Sequence, residues 1–332
     1  MPNRSLFRSG SSATRALLLA LLAATGPSIA TPAALAEEVT VDADYSASIS
    51  GFPIANGSLQ FKLNGSAYDA RINAQVSGLA ALIASRTAVG NATGHVEGSR
   101  ISPESYSLSI AGGQSVNEVA ETFSDNKVVA LAATELHLAG WDERVPLLPS
   151  HKQGIVDPLG AFILPTPAGK DPLAPAACNR TLKIFDGRVR YDLHLVYGAR
   201  NDIAGDPGSY SGPAIVCAVA YRPIAGQRIL SPEQQKFERN IEFSIWFVPV
   251  GSTGLLLPHR IVIETQSGLL VVNASRFVVH GSEPIVTADA SKTAASNSFV
   301  ARHRHYRRHK QENEAKPDAK PDGDGKPAPA AN

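Results

Sequence analysis

From Val39 to His280 apolar and polar positions alternate in short runs cut by turn residues, and few stretches carry the period of a helix. Alternation sends successive side chains to opposite faces of a strand, so the pattern predicts an antiparallel sheet with one face buried. In "NGSLQFKLNGSAYDARINAQV" (56–76), Leu59, Phe61 and Leu63 share a face between Asn-Gly pairs at 56 and 64. Both pairs are expected to be hairpin turns, because Asn and Gly accept the positive φ that a tight turn demands. Gly94, Gly98, Gly112-Gly113 and Asp125-Asn126 continue the punctuation of a meander. The last strands are predicted at "IEFSIWFVPV" (241–250), "HRIVIETQ" (259–266) and "GLLVVNASRFVV" (268–279).

Two segments depart from this pattern. "SGLAALIAS" (77–85) sets Leu79, Leu82 and Ile83 at helical spacing, which predicts a short helix laid across the sheet with that stripe buried. In "SPEQQKFE" (231–238) Ser231 can cap, Pro232 suits the first helical position and Gln234 completes a capping box, so a polar surface helix is expected. Between Val145 and Pro175 prolines are dense, which predicts a long excursion outside the sheet with a one-turn helix at "DPLGAF" (157–162). The expected fold class is mainly β, a curved antiparallel sheet or half-open barrel with one or two short helices covering it.

The stretch "CNRTLKIFDGRVRYDLHLVYG" (178–198) reads as a hairpin turning at Asp186-Gly187, with Phe185 opposite Arg188 and Ile184 opposite Val189. Leu182, Ile184, Val189, Tyr191, Leu193 and Leu195 then share a face, and Cys178 has their parity. In "IVCAVAY" (215–221) Cys217 shares parity with Ile215, Val219 and Tyr221. These are the chain's only two cysteines, and both are expected to face the core. In an exported chain they are expected to form a disulfide rather than a reactive thiol, since His194 lies on the opposite face of the hairpin.

Export is expected from the first 36 residues, where Arg4, Arg8 and Arg15 precede the apolar run "ALLLALLAA" (16–24) and the small-residue site Ala34-Leu35-Ala36. That order is a signal peptide cleaved near Ala36, with too short an apolar run to span a bilayer. The reading gives a periplasmic protein, secretion being the second choice, with a single β-rich domain over 37–280. No later apolar run is long enough for a transmembrane span. The chain carries 31 basic and 30 acidic residues; removal of the three leader arginines leaves 28 against 30, so no nucleic-acid partner is expected. From 281 to 332 the composition turns to charge, Pro, Ala and Gly, which predicts a disordered tail. Its run "RHRHYRRHK" offers Arg302, Arg304, Arg307, Arg308 and Lys310 to an anionic envelope component, or is a solvated tail whose charges the following acids offset.

No nucleophile elbow, zinc-binding helix motif, phosphate loop, dinucleotide fingerprint or Cys-x-x-Cys occurs, so no catalytic residue, cofactor or metal site is assigned. The body histidines are scattered, and Asp142, Glu143 and Asp157 read as loop carboxylates near turns.

Several motifs succeed one another in a recognisable order: "YSASISGFPIANGSLQF", "GLAAL", "GHVEGSRISPESY", "DPLGAF", "FDGRVRYDL", and Trp246 followed by "LPHRIVIET". On these the body from about Val39 to Val279 resembles an exported bacterial family, domain of unknown function 3108. The resemblance implies distant similarity to periplasmic lipoprotein carriers, in which a curved sheet wraps an apolar cavity. Gly160 stands where relatives in that family carry serine, and the resemblance transfers no catalytic residue. Two functions fit the sequence. One is a binding or carrier module for a hydrophobic or lipid-like ligand, with Leu79, Leu82, Ile83, Leu159 and Phe162 as contacts and the excursion as a lid. The other is a structural or interaction protein of the envelope acting through its basic tail. The sequence leaves the oligomeric state open.

Overall fold

The computed structural model describes residues 38–83, 85–135, 143–167, 170–238 and 243–282. The leader and the basic tail, with Arg302, Arg304, Arg307, Arg308 and Lys310, lie outside the described residues. All the described residues belong to the compact unit that begins at Ala36.

The alternation is realised as one 14-stranded sheet built from two antiparallel meanders. The first comprises β1 (Val39–Ile49), β2 (Phe52–Asn64), β3 (Ala67–Val76), β4 (Arg86–Glu97), β5 (Arg100–Gly112), β6 (Ser115–Ser124) and β7 (Lys127–Ala133). The second comprises β9 (Arg180–Phe185), β10 (Arg190–Ile203), β11 (Gly212–Ala225), β12 (Phe243–Pro249), β13 (Leu255–Thr265) and β14 (Gly268–His280). The final strand joins them by pairing with the first, from Thr40 opposite His280 to Ile49 opposite Leu270. A two-residue strand, β8 (Leu164–Pro165), pairs with the start of β13. The helices are α1 (Ala80–Ile83) and α2 (Pro232–Glu238). At α2 the capping box forms as its residue types require: the Gln234 amide donates to Ser231 Oγ at 3.3 Å and the Ser231 amide to Gln234 Oε1 at 3.1 Å.

The sheet is curved and its strand ladder does not close: β7 and β9 are its two ends. The Pro-rich excursion spans the gap. Ile155 N donates to Asn126 O at 3.0 Å on the β7 side, while Val156 N donates to Lys183 O at 2.9 Å and Phe185 N to Val156 O at 3.1 Å on the β9 side. The hairpin tip after β9 adds Arg188, whose guanidinium donates to the carbonyls of Thr134 and Glu118 at 2.7 and 3.2 Å. Backbone groups that a free edge would expose are thus partly satisfied by an irregular segment.

The excursion covers the concave side and is itself part of the core. Ile155, Asp157, Ala161, Ile163, Leu164 and Leu173 are all buried, and Val156 packs against both of the apolar clusters that make up the core. One cluster centres on Val41, Phe61, Tyr68, Ala92 and Phe277, the other on Ile184, Leu195, Ile215, Ile245 and Phe247. A sheet too wide to fill its own concave side with strand side chains is filled instead by this loop. Proline's restricted φ lowers the entropic cost of ordering it.

Three local expectations are corrected. Asn56-Gly57 is no turn: it lies inside β2, opposite Ser46 and Tyr45 of β1. A Cβ on Gly57 would sit 2.5 Å from the Asn73 carbonyl oxygen, so this glycine serves close strand approach, whereas Asn64 does lead into a turn at Gly65. The hairpin after β9 turns over four residues rather than two, with Phe185 opposite Arg190 and Ile184 opposite Tyr191. Asp186 sets that turn by accepting the amides of Arg188 and Val189 at 2.9 and 2.6 Å. The shift is even, so the faces stay as expected. Finally, the Leu79 and Leu82 stripe is not buried: these side chains are 75% and 83% exposed, because the single turn of α1 lays its alanines towards β2. The side chain of Ile83 lies outside the described residues.

Candidate functional site

Cys178 and Cys217 form the expected disulfide, and both residues are fully buried. Cys178 lies at the end of the one-turn helix Pro175–Ala177, just before β9 begins, so the bond ties the end of the excursion to the centre of β11. It fixes the loop from which the interior is built.

That loop has two faces. Leu159, Phe162 and Ile163 look onto a cavity of about 340 Å³ walled by Leu59 and Phe61 of β2, Ile72 of β3, Leu257 and Ile261 of β13 and Val272 of β14. The space exists because neighbouring wall positions are small: Ala47 on β1, Ala55 on β2, and Ala70 and Ala74 on β3. No charged residue lines it, and its polar groups are confined to Tyr45, Asn56, Ser58 and Asn73. The Tyr45 hydroxyl is already committed, donating to the Pro258 carbonyl at 2.6 Å. Of the residues singled out in sequence as ligand contacts, the structure brings Leu159 and Phe162 to this wall; Leu79 and Leu82 form no part of it.

The loop's other face is polar and buried. Asp157 is completely buried; its Oδ1 accepts the amides of Leu159 and Gly160 at 2.9 and 2.8 Å, while Oδ2 has no hydrogen-bond partner. The Tyr68 hydroxyl reaches the same space and interacts with the Asp157 carboxyl, although not at ordinary hydrogen-bond geometry: a Cβ on Gly160 would lie 2.6 Å from Asp157 Oδ2 and 2.8 Å from that hydroxyl. Nearby on β6, Glu121 is 3% exposed and neither carboxyl oxygen has a partner. Burial pushes the Asp157 carboxyl up to about 6, against the pull of the Gly160 and Leu159 amides and of the Tyr68 hydroxyl. Burial, reinforced by the negative charges of Asp157 and Asp186 and opposed by Lys152, pushes Glu121 up to about 8. Burial also raises the Tyr68 hydroxyl.

Sequence reasoning places Asp157 near a turn, where it is, but does not foresee its burial. It passes over Glu121 although a signal is present, since Val119, Glu121 and Phe123 share one parity in "SVNEVAETF". Neither carboxyl lines the apolar cavity, nor does either line a larger cleft of about 670 Å³ at the seam, whose walls include Arg100, Asp125, Arg180 and Lys183. Among the described residues no cluster of His, Cys, Asp and Glu has the arrangement of a metal site. No described helix is long and apolar enough to cross a membrane.

The class of architecture is a curved antiparallel sheet whose concave side is filled by a loop, with an uncharged cavity beside that loop. The chain belongs to the family described as "Protein of unknown function (DUF3108)", which matches residues 44–275. No curated protein matches it. A solved structure from Brucella abortus, described as a beta-barrel-like protein of domain of unknown function DUF1849, is similar at 10% identity with a TM-score of 0.41. It covers 74% of this chain and 99% of its own.

Proposed function

We propose that the protein is a non-catalytic binding or carrier module for a hydrophobic or lipid-like ligand, held in the cavity between β1–β3, β13–β14 and the excursion. The observation that carries this reading is the cavity wall: about 340 Å³ of space bounded almost wholly by aliphatic and aromatic side chains, with no charge. That volume lies at the lower end of the range for small-molecule sites. A polar ligand group would lose its water there without replacement hydrogen bonds, so the occupant is apolar over the part that enters. The disulfide and the leader-like N-terminus support work in an oxidising, exported compartment.

Native mass spectrometry of protein purified gently from its own cells, followed by solvent extraction, tests the reading directly. A stoichiometric lipid or other apolar species is expected. Binding of a fluorescent apolar probe supplies the control: Ala74→Leu fills the cavity and should abolish it while the protein stays folded. A wild-type protein that takes up neither ligand nor probe, or an Ala74→Leu variant that binds the probe equally well, would overturn the proposal.

A further inference from the structure

The antiparallel order brings four neighbouring connections to one end of the sheet: β5 to β6, β3 to β4, β1 to β2 and β13 to β14. Together they form an exposed apolar rim. Phe52 comes directly after the β1–β2 turn and is 71% exposed, Leu79 and Leu82 project from the α1 connection, Leu269 lies at the start of β14, and Val116 at the start of β6. Adjacent turns are tied to one another, since Ser50 N donates to Leu269 O at 2.9 Å and Ser77 N to Ile54 O at 2.8 Å. Large apolar side chains in such number at one rim are an interaction surface rather than scattered exposure.

Charge narrows the partner. Residues 50–53, 77–82, 112–116 and 265–269 contain no acidic and no basic side chain; the flanking charges, Arg86, Glu118 and Glu264, are of both signs, and Glu264 lies opposite Leu269. The two further connections at this end, β9 to β10 and β11 to β12, carry Asp186, Arg188, Arg228 and Glu233, so the uncharged stretch is confined to these four. A protein partner would ordinarily be selected by charged groups around an apolar centre. A rim of Phe and Leu with small polar residues, flanked by charges of both signs, suits the boundary between zwitterionic lipid headgroups and acyl chains. The rim is also continuous with the cavity: Ala47, Ala55 and Val272 of its wall lie two to three residues along β1, β2 and β14 from Ile49, Phe52 and Leu269.

We infer that this rim docks the protein on a lipid bilayer surface, inserting Phe52, Leu79 and Leu82 among the headgroups and presenting that end of the cavity to the membrane. The inference rests on the proposed ligand reading for its purpose but not for its test.

Vesicle flotation uses the full chain, with its mass recorded to show whether the leader is present. The vesicles are phosphatidylcholine alone and phosphatidylcholine mixed with phosphatidylglycerol. Wild-type protein should float with both, and high salt should leave binding to phosphatidylcholine intact because insertion is apolar. Each of Phe52→Ser, Leu79→Ser and Leu82→Ser should weaken it roughly tenfold, and the triple variant far more, at an unchanged melting temperature. Phe52→Trp should show quenching by brominated lipid beyond that of the wild-type protein, whose own tryptophans are Trp141 and Trp246, and the excess reports insertion at that residue. No quenching at position 52, or flotation indifferent to the triple substitution, overturns the inference. So does binding to mixed vesicles alone that salt abolishes, which would assign attachment to the basic tail. A dimer in solution that the same substitutions dissolve, without flotation, makes the rim an interface between copies instead. Ala74→Leu separates the two proposals: it should lose the apolar probe and still float.

Discussion

Glu121→Gln isolates the cost of the charge buried at the seam. The carboxyl sits on β6 between Tyr106 of β5 and Leu131 of β7, 3% exposed and without a hydrogen-bond partner. Its affinity for a proton is raised from an ordinary 4.5 to about 8. Folding therefore takes up a proton between those values. The contribution to stability is fully present below pH 4.5, declines as pH rises, and is lost above pH 8. At about 1.4 kcal/mol per pH unit the full swing is on the order of 5 kcal/mol. Glutamine removes the titration and keeps the shape, although its amide brings donors that also need partners, at about 1 to 3 kcal/mol. The decisive quantity is thus the change in the difference between variant and wild type, not the difference at one pH. Urea unfolding with the disulfide intact, monitored by far-ultraviolet circular dichroism at pH 5, 7 and 8.5, should show the variant gaining on wild type by roughly 4 kcal/mol over that span. Parallel stability profiles would refute the reasoning and mean that the carboxyl finds water or a partner in the folded protein.

Replacing both Cys178 and Cys217 by Ala should lower stability by about 4 kcal/mol, the chain entropy released by opening a loop of sequence separation 39, read as a fall in urea midpoint with binding of an apolar probe lost at the same denaturant. Gly160→Ser should destabilise by about 1 to 3 kcal/mol in a thermal melt, because its Cβ would fall inside contact distance of Asp157 Oδ2 and the Tyr68 hydroxyl; this is the residue the family resemblance leads one to expect. His259 is buried beside Tyr210 and Phe277, and burial with the neighbouring Arg260 holds it down at about 4 from 6.5. Its share of stability is full above pH 6.5 and is lost as pH falls through 4, so His259→Gln should flatten the acid limb of the stability profile.

The fold is legible because parity is robust. The four-residue turn at Asp186 moves the β9–β10 register by two positions; the even shift keeps Leu182, Ile184, Tyr191, Leu193 and Leu195 on the face alternation assigns them, while Val189 falls in the turn. The disulfide rests on the same parity. What alternation cannot report is whether a glycine bends the chain or lets two strands approach, and Asn56-Gly57 is identical in either role until the Asn73 carbonyl is placed against it. The Leu79 and Leu82 stripe fails for a related reason: helical spacing identifies a face, but which face meets the sheet is decided by the partner surface, and α1 is a single turn.

The excursion is the least legible part and the most consequential. Proline density and absent periodicity mark a loop, and loops are ordinarily at the surface because their backbone groups need water. Here they find protein instead: Ile155 and Val156 bond to both ends of the ladder, and Asp157 caps the next turn. One run of residues therefore closes the seam, supplies Leu159, Phe162 and Ile163 to the cavity wall, and carries the buried carboxyl that Glu121 opposes. Because these roles share a backbone held at Val156 and again at Cys178, ionisation of Glu121 and occupancy of the cavity act on the same segment. Ligand in the cavity should accordingly shift the pH at which Glu121 titrates, and raising pH should weaken ligand binding in wild type but not in Glu121→Gln.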